Sequence, residues 1–501
     1  MGVFAVIAVA ALISGAAALR MLPPPDISWL LLSAGRLLDG GRYGVDVLEV
    51  NPPLIAWVYS IPVLLSRLSG IPAYTLLVLI TLVLAVASLA AVYILLGTDR
   101  REAAALTVAL GAGILLLPAG DFAQREHLAA ISCAPWLALA LRRARNMPPG
   151  RGATAAVAVL GAVGFLLKPY FLLGWAAVEL YLARHRGFRL LLRLENIVLA
   201  AAGVTYIACV ALIAPGYIAL ARMLGPAYAT YLSSGASDAA MLGLWLGGMG
   251  LFLLWRIRVV SAAGVFGAAT IGFLLAGIVQ LKWWSYHFLP AAVFGIAALA
   301  ALAYTALGRL PARVASRGRK TTTVLAALAI VVIAARPLDV AGRPEHPDHL
   351  ADASVLPLRE WLRGNAPDAD VMLFSTNINS AFPAIPLSGS RWTSRLPSLW
   401  PLAAAYGDAF VAREPLQVRP PATRNDLELW IEETVYADMV AGRPEILIVR
   451  RYEPARRDHG GSGRFDYMAY FSAVPRLRVI LDAYIPVAAV GFYQVYRRSV
   501  S

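Results

Sequence analysis

The stretch AYTLLVLITLVLAVASLAAVYILLGTDRR, residues 73–101, runs for twenty-six residues without a charged side chain and then closes on Asp99, Arg100 and Arg101. A helix of that length reaches across a hydrocarbon core about 30 Å thick. The arginines at its end mark the cytoplasmic side. Comparable apolar runs stand near residues 2 to 19, 103 to 119, 127 to 141, 153 to 167 and 170 to 183. Others stand near 196 to 214, 240 to 255, 259 to 281, 288 to 307 and 321 to 335, which makes eleven predicted spans. Basic residues gather on every second loop: Arg100 and Arg101; Arg142, Arg143, Arg145 and Arg151; Arg184, Arg186, Arg189 and Arg193; Arg256 and Arg258; and Arg309, Arg313, Arg317, Arg319 and Lys320. Those loops are therefore expected to be cytoplasmic, and they use up most of the formal charge of +14, which leaves no case for a nucleic-acid partner. A chain of 501 residues that is 59% hydrophobic and only 15% charged is excluded from the soluble globular class.

Two further segments need a decision. The first run, followed by Arg20 and Pro23-Pro24-Pro25, also fits a secretory signal peptide, and a retained helix is the expectation. Asn51 to Gly70 is apolar but carries Pro52, Pro53, Pro62 and Arg67, and counting it as a span would put the arginine clusters on the wrong side. It is predicted to lie in the outer interface with Trp57 and Tyr59 at headgroup depth. The chain thus divides into a transmembrane part, residues 1–335, and a soluble tail, residues 336–501, which an odd number of crossings places outside. In the tail, Ala353 to Arg363 and Leu427 to Met439 read as helices and Asp370 to Ser375 and Glu445 to Arg450 as buried strands, so a small α/β domain is expected. Cys133 and Cys209 both lie in apolar runs and offer that domain no disulfide.

The predicted outer loops hold four polar clusters: Asp26-Ile27-Ser28-Trp29 through Tyr43, Asp46, Glu49 and Asn51-Pro52-Pro53-Leu54; Gly120-Asp121-Phe122-Ala123-Gln124-Arg125-Glu126-His127; Lys168-Pro169-Tyr170; and Gln280 through Lys282, Trp283, Trp284, Tyr286 and His287 to Pro290. Acids, cations and aromatics at one membrane surface are the set required to move a sugar from an isoprenoid phosphate. A carboxylate takes the acceptor hydroxyl's proton, cations stabilise the leaving phosphate, and aromatic faces cover the sugar.

On these residues the sequence resembles the GT-C glycosyltransferases, the superfamily that includes protein O-mannosyltransferases and aminoarabinose lipid A transferases. The resemblance rests on Asp26 soon after the first helix, on Leu37 to Gly41 (Leu-Leu-Asp-Gly-Gly), and on Tyr43 and Asp46 before Pro52-Pro53-Leu54. The acidic second outer loop (Asp121, Glu126) and a terminal outer α/β domain complete it. It implies an α-helical polytopic protein of the bacterial inner membrane with a periplasmic C-terminal domain. The implied activity is inverting transfer from a polyprenyl-phosphate-linked sugar to an envelope glycolipid, polysaccharide or protein.

By that resemblance Asp26 is the candidate general base; its other reading is an N-cap of the helix that starts at Ile27. Asp121 and Glu126 are candidates to orient the acceptor or to hold a divalent cation, or else are solvated loop acids. Arg125, His127, Lys168, Lys282 and His287 are candidate phosphate ligands. Pairing with neighbouring acids is the alternative for the first two, snorkelling for the lysines, and an interfacial histidine for His287. Tyr43, Asp46, Glu49, Trp284 and Tyr286 are the candidate substrate contacts, against turn-capping or aromatic-belt roles. Arg391-Trp392 and Arg395 to Trp400 either face the acceptor or form an Arg-on-Trp stack inside the tail. A transporter or lipid-linked-sugar flippase, and a scaffold that recruits other envelope enzymes, are the competing functions. A transporter should carry ionisable groups near the bilayer midplane, whereas here they gather at loop ends.

Overall fold

The computed structural model describes residues 2–97, 99–231, 260–309, 354–379, 381–412, 416–453 and 462–499, with scattered positions from 241 to 254 and Ala335. It is mostly helical with one small sheet. In chain order the helices through residue 308 are α1 (Gly2–Arg20), α2 (Pro25–Leu38), α3 (Leu54–Ser69), α4 (Ala73–Leu96), α5 (Arg100–Gly111), α6 (Arg125–Ala144) and α7 (Arg151–Leu166). They continue as α8 (Leu172–Arg186), α9 (Leu194–Ile213), α10 (Pro215–Thr230), α11 (Ala262–Ile278) and α12 (Leu289–Gly308). The chain divides into two compact units: residues 1–21, 65–209 and 235–344 form one, and residues 22–64, 210–234 and 345–501 form the other.

In the first unit, four apolar segments among the described residues have the length and composition to cross a membrane: Gly2–Arg20, Ala73–Leu96, Leu194–Ile213 and Ser285–Gly308. Leu194–Ile213 runs past the unit's boundary at residue 209, and the whole set makes this a multi-pass membrane protein. The expected runs near 153 to 167 and 259 to 281 are shorter apolar helices, α7 and α11. The run near 103 to 119 is α5 extended by a π-helical turn, Ala112–Leu116, and ended before Pro118. The run near 321 to 335, and most of that near 240 to 255, lie outside the described residues, as do the clusters at Arg256 and Arg313.

Helix α6 is the axis of this unit, buried on all sides through most of its length. Small residues let the other helices close on one another. A Cβ at Gly272 of α11 would stand 2.4 Å from the Leu173 carbonyl at the head of α8, and one at Gly161 of α7 would stand 2.8 Å from Trp136. The C-terminal end of α6 meets the arginine-bearing loops. Arg142 donates to Leu95 O (3.0 Å), Arg145 grips Glu102 through two bonds of 2.7 and 2.8 Å, Arg143 pairs with Glu195 (3.1 Å), and Arg186 donates to Ala144 O. The basic loops near Arg100, Arg145 and Arg186 therefore share one end of the unit. The other end of α6, about 30 Å away by helix rise, carries Arg125, Glu126 and His127.

The second unit is built on a five-stranded sheet, ordered β2-β1-β3-β5-β4, with β1 (Asp370–Phe374), β2 (Arg391–Trp392), β3 (Ile446–Arg450), β4 (Tyr484–Val490) and β5 (Tyr493–Arg498). β1 is parallel to β2 and β3, and β5 is antiparallel to β3 and β4. β3 is buried along its whole length, as a central strand covered on both faces must be. The expected tail elements are present: a helix over Val355–Asn365, β1, β3, and a helix over Asp426–Gly442. The last is started by an Asn425–Glu428 capping box.

Helix α2 and the loop after it belong to this body. Arg36 donates to Ser394 O (2.7 Å) and to Trp392 O, Leu48 N donates to Arg395 O (2.9 Å), and the Trp29 ring meets Phe382 edge-on. Gly44, at φ +82°, sits so close to Gly216 of α10 that a Cβ would come within 2.2 Å of its backbone. In α3, Ile61, Leu64 and Leu68 are exposed, but Tyr59 is fully buried, which corrects its expected place at headgroup depth.

The tail holds a buried ion pair. Arg424 is bonded to Glu432 (2.5 Å) and to Tyr470 O (2.8 Å), and its guanidinium lies 3.6 Å from the centre of the Tyr470 ring. Arg424→Met, which strands the Glu432 charge, is expected to cost about 3–5 kcal/mol. Thermal unfolding of the full chain should show a lower transition for R424M and recovery in the double variant Arg424→Met/Glu432→Leu.

Candidate active site

In the membrane unit three of the four polar clusters supply one constellation. Pro169 disfavours helical backbone at the residue before it, so α7 stops at Leu166 and Lys168 is extended, at φ −140° and ψ 138°. Its side chain turns inward, 4% exposed, and the ammonium donates to Glu126 Oε1 at 2.6 Å and to Gln280 Oε1 at 3.0 Å. Gln280, just past α11, is oriented by its own amide, which donates to Ala276 O at 2.9 Å. Glu126 lies in the first turn of α6, where the helix dipole favours a carboxylate, and no part of it is exposed. It is a buried ion-pair partner, which replaces the solvated-acid alternative; Lys168 likewise is not snorkelling.

Arg125 and His287 act on Glu126 through space, and Lys168, Arg125 and Lys282 act on His287. Arg125, Lys168, Lys282 and His287 are all buried, at 3%, 4%, 5% and 1% exposure. Among the described residues no hydrogen bond reaches Glu126 Oε2 or either ring nitrogen of His287. Lys282 lies in the loop between α11 and the short turn Ser285–Phe288, and burial pushes its ammonium down to about 8. His287 is flanked by the Trp284 ring at 5.3 Å and the Tyr286 ring at 4.6 Å.

The loops that present these groups are bent against their own preferences. Ala119 (φ +43°) and Ala123 (φ +66°) bracket Asp121, and Leu281 (φ +56°) and Trp283 (φ +52°) bracket Lys282. Each non-glycine residue held there costs about 1–3 kcal/mol, a strain that concentrates at functional sites. His127 holds the first of these loops. Its Nδ1 accepts from Ala123 N (2.9 Å), so Nε2 carries the proton and donates to Ile114 O in the π-helical turn (2.8 Å). Both ring nitrogens are thus engaged by backbone. Asp121, half-buried, ends the turn Ala119–Asp121. Glu126 belongs to Lys168, and among the described residues no three His, Cys, Asp or Glu side chains gather as a metal site would need.

In the second unit Asp26 is the second residue of α2. Pro24 is the cap position and Pro25 the first helical residue, so Asp26 stands inside the first turn and not at the N-cap. It is half-buried and acts on Tyr231, whose phenol is pushed well above its usual range by burial and then by the Asp26 charge. Tyr231 and Tyr228 both pack on Trp400, at 5.6 and 5.5 Å between ring centres. Tyr228 and Tyr231 escaped the sequence reading. Two tyrosines three residues apart at a predicted outer loop were the available signal.

The residues after α2 brace one another. Tyr43 donates to Asn51 O (2.6 Å) and Asp46 accepts from Arg42 N (2.8 Å) and Arg42 Nε (3.1 Å). Buried Glu49 accepts from Trp29 Nε1 (2.6 Å) and from Asn51 N and Nδ2 (2.7 Å each). In the tail, Arg391 pairs with Asp370 (2.9 Å) and Arg395 with Asp438 (2.5 Å). The Trp392 ring packs on Phe382 (5.2 Å), which corrects the expected Arg-on-Trp stack.

No family model matches the chain, and no curated protein matches its sequence. Among solved structures, ArnT from Cupriavidus metallidurans bound to undecaprenyl phosphate is similar over 100% of this chain and 98% of that one, with 16% identity and a TM-score of 0.58. The apo state of the same protein is similar over 99% and 97%, with 15% identity and a TM-score of 0.56. Arabinofuranosyltransferase AftD from Mycobacteria is matched over 100% of this chain and 40% of that one, with 15% identity and a TM-score of 0.40. The chain thus has the fold of ArnT over its whole length.

Proposed function

We propose that this protein is an inverting membrane glycosyltransferase that moves a sugar from a polyprenyl-phosphate donor to an extracytoplasmic acceptor, whether an envelope glycolipid, a polysaccharide or a protein. One observation carries the reading: Arg125, Lys168 and Lys282 are buried cations grouped around His287 at one end of an apolar helical unit. Buried cations at the end of an apolar helical unit suit a ligand with an anionic head and an apolar tail. A phosphate whose lipid tail lies among the apolar helices meets both requirements. The fold it shares with a protein crystallised with undecaprenyl phosphate supports the same donor class.

In the proposed step Asp26 takes the proton of the acceptor hydroxyl as its oxygen attacks the anomeric carbon from the face opposite the phosphate. The bond from that carbon to the phosphate oxygen breaks, and its electron pair leaves with the lipid phosphate, stabilised by Lys168, Arg125 and Lys282. Asp121 orients the acceptor, and Trp284 and Tyr286 cover the sugar. Tyr43, Asp46 and Glu49 act by shaping the loop behind α2, and His127 by holding the loop that bears Asp121. The eleven-span topology, with residues 336–501 periplasmic and the arginine-bearing loops in the cytoplasm, is part of the proposal. Mass spectrometry of bacterial envelope glycolipids with and without the protein should reveal one sugar-bearing species that depends on it. An unchanged envelope together with lipid uptake by reconstituted vesicles would overturn the proposal.

Lys282 gives the site a pH signature. Because burial has lowered its pKa to about 8, it is charged below that pH in the lipid-free protein and neutral above it. Affinity for undecaprenyl phosphate should fall as pH rises through about 8, where the lipid's own second ionisation, near 6, is complete. Lys282→Arg, charged throughout, should bind equally well at about pH 7 and 9.

A further inference from the structure

The Glu126–Lys168 pair does not help a site meant to hold a phosphate. A carboxylate 2.6 Å from the principal cation competes for it and cancels its charge. Glu126 Oε2 and the two ring nitrogens of His287, buried beside it, make no hydrogen bond among the described residues. The carboxylate therefore has a second polar group to turn to when it leaves Lys168. Gln280, which also accepts from Lys168, is neutral and fixed by Ala276 O, whereas Glu126 brings a charge to the ammonium.

The lipid changes charge as the proposed reaction proceeds. The donor is a phosphodiester with a single negative charge. Once the bond from the anomeric carbon to the phosphate oxygen has broken, the lipid is a phosphomonoester, doubly charged above its second pKa of about 6. Resting on the reading of this cluster as the donor's phosphate site, we propose that Glu126 occupies the phosphate's place on Lys168 in the lipid-free enzyme. By keeping a fixed negative charge there, it makes the site favour the singly charged donor over the doubly charged product. Glu126 is a specificity-determining residue in this arrangement. It lets the spent lipid leave a site whose cations would otherwise retain it.

The test compares two lipids, undecaprenyl phosphate and its methyl phosphodiester, titrated at about pH 7.5 into the full-length protein in nanodiscs and read by native mass spectrometry. Glu126→Gln should tighten the monoester about tenfold more than the diester, since each added charge on the lipid meets the same removed charge on the protein. E126Q should also show product inhibition at correspondingly lower lipid concentration. Gln280→Glu, which adds a carboxylate at the other ligand of Lys168, should do the opposite and weaken the monoester more. This second variant decides the matter if E126Q does not fold. Equal shifts for the two lipids in either variant, or weaker binding of both to E126Q, would overturn the role of Glu126 while leaving the phosphate site intact. If Lys168→Met changes the affinity of neither lipid, the phosphate site itself is wrong, and the discrimination falls with it.

Discussion

Replacing Asp26 by asparagine is expected to lower the transfer rate by about 10²–10⁴-fold, the range over which a positioned general base acts, while leaving the protein folded and its affinity for undecaprenyl phosphate within about twofold of wild type. The substitution keeps the side chain's size and its place in the first turn of α2. What is lost is the proton acceptor, together with a small favourable interaction of the carboxylate with the helix N-terminus, about 0.3–1 kcal/mol. The stability loss is therefore minor beside the kinetic one. Full activity in D26N would remove Asp26 from the chemistry.

The second large effect is on lipid binding. Lys168→Met is expected to weaken undecaprenyl phosphate by at least about thirtyfold, because truncating one member of a buried charge pair costs roughly 2–5 kcal/mol. The lysine is buried, extended by the proline that follows it, and bonded to groups from α6 and from the end of α11. Its removal strands the Glu126 charge, so K168M should also unfold at lower temperature. Lys168→Met/Glu126→Gln removes both charges and should restore the transition. Lipid binding should stay below wild type in the double variant. That separates loss of the phosphate ligand from loss of the fold.

The helices and the site differ in how far they could be read from the chain. Apolar runs and alternating arginines give local, periodic signals, and α4, α6, α7 and α9 stand where those signals put them. Loops that share one end of a bundle can meet, and the clusters at 120–127, 168–170 and 280–290 do so through Lys168, Glu126 and Gln280. Gln280 was visible as the first polar residue of its cluster. Its role as the neutral ligand of a lysine more than a hundred residues away depends on how α11 packs.

Nor does local pattern reveal that residues 22–64 and 210–234 belong with the sheet-bearing tail. That follows from pairings such as Arg36 to Ser394 and Leu48 to Arg395, which span some three hundred and fifty residues. His127 is the clearest case of a side chain whose neighbours in sequence mislead. Flanked by Glu126 and close to Arg125, it reads as part of a charged cluster. Its actual partners are backbone groups, one of them the Ile114 carbonyl in a π-helical turn that no composition rule announces.

The proposed reaction requires the lipid phosphate to sit on Lys168. A cryo-EM structure of the protein in nanodiscs with undecaprenyl phosphate should place a phosphate oxygen about 2.8 Å from the Lys168 ammonium, a normal charge-assisted distance. The Glu126 carboxylate should then be turned away toward His287. A phosphate elsewhere on the protein, with the Glu126–Lys168 pair still closed, would contradict it.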